Sequence, residues 1–109
     1  MHKKKKPRRH YDLTAIIYDK RGRILSIGKN SYVKTHPKQA HHAKRVGKEK
    51  GIFLHAEMDA IIKCRDISKA YKMSIFRYSK DGKPLPACPC PICNDGIKTT
   101  PIKVIEYTQ

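Results

Sequence analysis

The sequence predicts a single α/β domain, and three observations carry that prediction. Two apolar, partly β-branched runs flank a short polar turn. The longest stretch with helical apolar spacing begins at His55. Two half-motifs with metal-ligand spacing, at His55 and at Cys90, both fall where helices should start. The implied order is strand, strand, helix, strand, helix, strand.

Leu13 to Tyr18 and Arg23 to Gly28 are the two apolar runs, and Asp19-Lys20-Arg21-Gly22 joins them as a β-hairpin. The polar stretch from Lys29 to Gly51 is broken at His36-Pro37, and its Ala40, Ala43 and Val46 support no more than a short helix. It reads as an irregular loop with about two helical turns at most. From His55 to Tyr71 the residues Met58, Ile61, Ile62, Ile67 and Ala70 recur at helical spacing without Gly or Pro, which predicts a helix over the whole stretch. Met73 to Tyr78 reads as a strand, and Asp81 to Pro86 as a turn. Cys90 to Lys98 should be a short helix, and Ile102 to Tyr107 the last strand.

With 109 residues and 39% hydrophobic content, the chain can build one small core. Residues 11–109 are expected to form that domain, and residues 1–10 a disordered basic tail. No apolar run approaches the ~20 residues of a membrane span, and a reducing cytoplasm suits the cysteine pattern better than secretion. The formal net charge is +16, and setting aside the six cations of residues 1–10 still leaves +10. Between Lys29 and Lys50, seven Lys or Arg residues and three His face a single acid, Glu49. Such a field favours a polyanion, nucleic acid or nucleotide, and Lys29, Lys34, Lys38, Lys44 and Arg45 are the candidate phosphate contacts.

His55-Ala56-Glu57 and Pro89-Cys90-Pro91-Ile92-Cys93 together offer one imidazole, two thiolates and a carboxylate that need not be a ligand. That set suits one zinc ion per chain with an open fourth position. Cys90 and Cys93 would lie in a first helical turn, whose free N–H groups favour thiolates. Either half alone is a weak signal, because Cys-x-x-Cys also serves redox and structural zinc sites. Of the other thiols, Cys64 falls in an apolar helical pattern and is expected in the core. Cys88 is expected to be a spectator, the alternative being a further zinc ligand, and His36, His41 and His42 are expected to be exposed.

In this order the two halves match the signature H-x-E…P-C-x-x-C. Over roughly residues 12–107 the chain therefore resembles the zinc-dependent cytidine and deoxycytidylate deaminase superfamily, as a minimal member. The resemblance implies a cytidine-deaminase-like fold, with a central mixed sheet of about four strands and helices carrying the zinc site. It implies His55, Cys90 and Cys93 as metal ligands, Glu57 as the proton carrier, and hydrolytic attack at C4 of cytosine or C6 of adenine. It also implies that Asn30 and the backbone of Ala56 bind the substrate, although Asn30 near Gly28 is equally ordinary turn chemistry. A histidine as first ligand departs from the free-cytidine class, and His55-Ala-Glu-Met-Asp-Ala60 is similar to the deoxycytidylate and tRNA-adenosine branches.

Three functions are open at this point. Deamination of cytosine to uracil in single-stranded DNA or RNA accounts best for the charge. A deoxycytidylate-type free-nucleotide deaminase, dCMP to dUMP, needs a single phosphate contact. A non-catalytic nucleic-acid-binding protein with a structural zinc would use Cys88, Cys90 and Cys93. Similar deaminases carry further elements around this core, so one sheet face should be thinly covered, and a homo-oligomer or a partner protein is expected to cover it.

Overall fold

The computed structural model describes residues 12–31, 35–47, 54–79 and 81–109. Four strands form one sheet: β1 (Asp12–Tyr18), β2 (Ile24–Lys29), β3 (Lys72–Tyr78) and β4 (Val104–Tyr107). Three α-helices accompany them: α1 (Pro37–Arg45), α2 (Ala56–Lys63) and α3 (Pro91–Ile97). The order across the sheet is β2-β1-β3-β4, antiparallel except for the parallel pair β3–β4. A parallel pair needs a crossover, and the segment containing α3 supplies it. The sheet is mixed and the fold is α/β, as the sequence predicts.

The β1–β2 turn is built by Asp19, whose Oδ1 accepts from the backbone N–H groups of Arg21 and Arg23, each at 2.9 Å. Gly22 closes the turn at φ +81°, a left-handed conformation that favours glycine. Strand alternation then directs Ala15 and Ile17 of β1 and Met73 and Ile75 of β3 to one face, where all four are fully buried. Helix α2 covers that face with Ala56, Met58, Ala60 and Ile61. On the other face, Ile16 lies opposite Ile27 on one side and Ser74 on the other, and Ile24 and Ile27 are about half exposed.

Two elements differ from the sequence prediction. The α2 helix stops at Lys63 instead of running to Tyr71, with Cys64 already extended at φ −72°, ψ 112°. Eight more helical residues would carry the chain about 12 Å past the point where it must turn into antiparallel β3. A 3-10 turn at Ile67–Lys69 makes the return, and Tyr71 N donates to Tyr18 O at 2.8 Å. The second difference concerns α1, a nine-residue helix that makes regular the two or so helical turns expected within a loop. His36-Pro37 begins it rather than breaking it. Pro37 occupies the first turn, where its missing N–H costs nothing, and His36 Nδ1 accepts from Lys38 N at 3.1 Å as the cap.

Strand β2 and helix α2 come closest at Gly28. A Cβ there would lie 2.2 Å from Ala60 N and 2.3 Å from Ala56 O, both backbone atoms that cannot swing aside. Gly28→Ala is therefore expected to destabilise the fold by about 2 kcal/mol or more. Thermal melting should show a loss of roughly 8 °C or more, and a shift within ~2 °C would contradict the close approach.

Candidate metal centre

Helix starts place all three candidate ligands. His55 and Cys90 are the N-cap residues of α2 and α3, each with extended backbone, and their carbonyls accept the first helical bonds from Asp59 N and Asn94 N, both at 2.9 Å. Pro91 follows at the first helical position, so the two-residue spacer puts Cys93 at the third. A side chain at that position reaches back toward the cap, and Cys-x-x-Cys thereby sets both sulfurs on one side of the helix start. Helix α2 brings His55 to the same point from the other chain segment.

The three donor atoms all lie within 4.8 Å of one another. His55 Nδ1 is 3.2 Å from Cys93 Sγ and 3.4 Å from Cys90 Sγ. A tetrahedral zinc with ordinary Zn–N and Zn–S bonds separates a nitrogen and a sulfur ligand by about 3.6 Å, so the two imidazole–sulfur pairs need only a few tenths of an ångström of expansion. Two thiolates and an imidazole are also the soft and borderline donors that zinc prefers. Among the described residues this is the one such cluster of three metal-binding side chains.

Without a cation the same atoms pair with each other. Hydrogen bonds from Cys93 and His55 lower the Cys90 thiol to about 4, so Cys90 is a thiolate near neutrality. The bond to Cys90 raises His55, and it also pushes Cys93 up as the thiol that donates to Cys90, reinforced by burial. Concentrating this charge in a half-buried site favours a cation that can take all three donors at once.

Support for the site comes from α1. Gln39 is fully buried, and its Oε1 accepts from His55 N at 3.3 Å. His42, expected to be exposed, is buried and meets Asp95 of α3 at 2.5 Å, while Arg45 Nε donates to the same carboxylate oxygen at 2.9 Å. These contacts clip α1 to the helix that carries Cys93. The spacing of Gln39, His42, Ala43 and Val46 is one helical face, a signal hidden because Gln and His score as polar.

Glu57 is 5% exposed at the second position of α2. Burial raises its carboxyl above the usual range, partly offset by its own backbone N–H and by His55, and it hydrogen-bonds with Cys93. A buried carboxyl thus stands beside the three ligands without being one of the clustered donors.

Residues 1–109 match the family model described as the cytidine and deoxycytidylate deaminase zinc-binding region. The chain belongs to this deaminase family. No curated protein matches it. As a deaminase domain it has zinc as its cofactor, held by His55, Cys90 and Cys93, and its class of chemistry is zinc-dependent deamination.

The other sequence-predicted residues of the deaminase take the following places. Ala56 is fully buried at the first position of α2. Asn30 Oδ1 accepts from Leu13 N at 3.2 Å, tying the end of β2 to the start of β1. Lys29, Lys38, Lys44 and Arg45 are exposed, with Arg45 shared with Asp95. Lys34 and residues 1–10 lie outside the described residues. Cys64 is in the core, and exposed Cys88 bonds with Tyr107 rather than joining the ligand set. No helix among the described residues is long and apolar enough to cross a membrane.

Two outcomes follow for the deaminase. Purified protein should carry one zinc per chain by elemental analysis, Cys93→Ala should carry almost none, and chelation should lower the melting temperature by more than about 10 °C. A chelated protein that melts like the loaded one would contradict the coupling of metal to fold. The Asp95 clip has its own pH signature. His42, and after it Arg45, hold the Asp95 carboxyl below the usual range, so its contribution is complete above about pH 4 and is lost as pH falls through the lowered folded value. Asp95→Asn should lower the urea midpoint at pH 7, with the gap from wild type closing below about pH 4. A gap that persists unchanged to pH 2 would contradict it.

Proposed function

We propose that this domain deaminates cytosine to uracil within single-stranded DNA or RNA. The observation that carries the chemical part is Glu57, a buried carboxyl of raised pKa hydrogen-bonded beside the ligand cluster. Zinc bound by His55, Cys90 and Cys93 supplies Lewis-acid activation of a water molecule for attack on the base. Glu57 takes a proton from that water and delivers it to the ring nitrogen. It then assists proton transfer to the exocyclic amine, which leaves as ammonia while the ring carbon keeps the oxygen. Its raised pKa suits a group that must both accept and return a proton near neutrality. The backbone N–H of Ala56 and the side chain of Asn30 are proposed to hold the base.

The polymeric substrate rests on the charge. Lys38, Lys44 and Arg45 are exposed on α1, the helix packed against α3 and bonded to His55, and Lys29 is exposed beside Asn30. These cations can follow a phosphate backbone past a base inserted at the zinc centre. A single nucleotide would use one of them and leave most of the net +16 without a role. The half-exposed Ile24 and Ile27 on the second sheet face support assembly of the domain with a second copy or a partner protein. With Cys90 and Cys93 committed to the metal and no disulfide among the described residues, a reducing cytoplasm is the proposed compartment.

Incubating zinc-loaded protein separately with single-stranded DNA, transfer RNA and dCMP, and following base conversion, tests the substrate. Conversion of cytosine in a polymer is expected, and turnover of dCMP alone would reject the polymer reading. Glu57→Gln should reduce turnover by about 10³-fold or more while keeping one zinc per chain. A variant with near-native activity would remove Glu57 from the mechanism.

A further inference from the structure

A second cationic site stands at the other end of the sheet. Lys20, Arg21 and Arg23 from the β1–β2 turn, Lys69 from the 3-10 turn and Lys103 before β4 line a cavity of about 390 Å³ together with Tyr71. These segments are distant in sequence, and the backbone of Tyr71 gathers them. Its N–H donates to Tyr18 O at 2.8 Å, and its carbonyl accepts from Lys103 N at 2.9 Å. The zinc ligand His55 caps the start of α2, a helix about 12 Å long, whereas this cavity is lined by Ser68 to Tyr71, which follow its other end.

The charges in the cavity do not balance. Asp19 is the one acid in its wall, and it is committed to Arg21 N, Arg23 N and the Arg23 guanidinium. Lys69 has an exposed, 3.5 Å pairing with Asp66. Lys20, Arg21 and Lys103 have no ion pair among the described residues. Lys20, Arg21 and Lys103, with Lys69 only weakly paired, repel one another around one concave surface, and an anion with several oxygens relieves that repulsion. Guanidinium and ammonium groups together suit phosphate, the first by paired donors and the second as a point charge. The volume falls in the ~300–1,000 Å³ range of small-ligand sites. Tyr71 adds a half-buried ring, with Lys20 Nζ 6.0 Å from its centroid, as a surface for a base.

We propose that this cavity binds the phosphate groups of a nucleotide or of a nucleic-acid strand, as a site separate from the zinc centre. It does not depend on which base the zinc centre converts, because occupancy is read by binding. The full-length, zinc-loaded chain is titrated with two probes, a fluorescein-labelled 12-nucleotide single strand and ATP, at several salt concentrations. Amide NMR shifts report where each binds. At least one probe should give saturable shifts at Lys20, Tyr71 and Lys103. Lys20→Ala/Lys103→Ala should weaken that probe about tenfold at 0.1 M salt, and for the strand should flatten the salt slope by about 1.4. A charge-matched control at exposed positions, Lys83→Ala/Lys98→Ala, should cost less than about threefold.

Binding of the strand identifies a polymer as the phosphate source, and binding of ATP without the strand identifies a free nucleotide; each supports the site. Equal weakening by the cavity pair and the control pair, or no shifts at those residues with either probe, overturns it. Melting curves check that the variants fold, and Arg21→Ala/Lys69→Ala serves as a second cavity pair with the same expected loss.

Discussion

Three donor atoms from two chain segments, with His55 and Cys90 separated by 35 residues, must meet within 4.8 Å, and most of the architecture serves that convergence. Helix α2 has to lie flat on β1 and β2 at a fixed height. Gly28 allows contact with the helix backbone, Ser26 Oγ donates to Ala60 O at 2.7 Å, and Asp59 Oδ2 accepts from Lys29 N at 2.9 Å. Helix α3 has to start beside it. Gly96 leaves room for the Met58 sulfur, and the His42–Asp95–Arg45 cluster draws α1 against the other side. A domain this small has little core to spare, so a metal that bonds two helix starts together is a large share of its stability.

Electrostatics gives the two ends of the sheet different characters. At the α2 and α3 starts, helix dipoles, a thiolate and a raised imidazole concentrate charge in a half-buried pocket. At the opposite end, cations accumulate on turns and stay solvated. The net charge of +16 thus divides into local fields, and one of these lies well away from the chemistry.

Much of this was legible in the sequence. The strands follow from their β-branched runs, and Cys-x-x-Cys after a proline fixes cap and third position on a helix without any need for tertiary information. What escaped reading depended on long-range contacts. Helical spacing through Ile67 and Ala70 is real, but the need to return to β3 level with Tyr18 outweighs it. The buried face of α1 was hidden because it is made of Gln39 and His42, whose partners His55 and Asp95 lie far along the chain. The cationic cavity was hidden for the same reason. Lys20, Lys69 and Lys103 look like ordinary surface charges until the sheet order brings their turns together.

The central claim is a zinc held by three protein ligands with a fourth position open, and X-ray absorption at the zinc edge of the loaded protein tests it most directly. The account predicts two sulfur scatterers at about 2.3 Å and two lighter ones at about 2.0–2.1 Å, one of them from His55. Substituting Cys88 by Ala should leave that spectrum unchanged. Three sulfurs in the first shell, with the third lost in the Cys88 variant, would make the site a closed structural one and contradict the account.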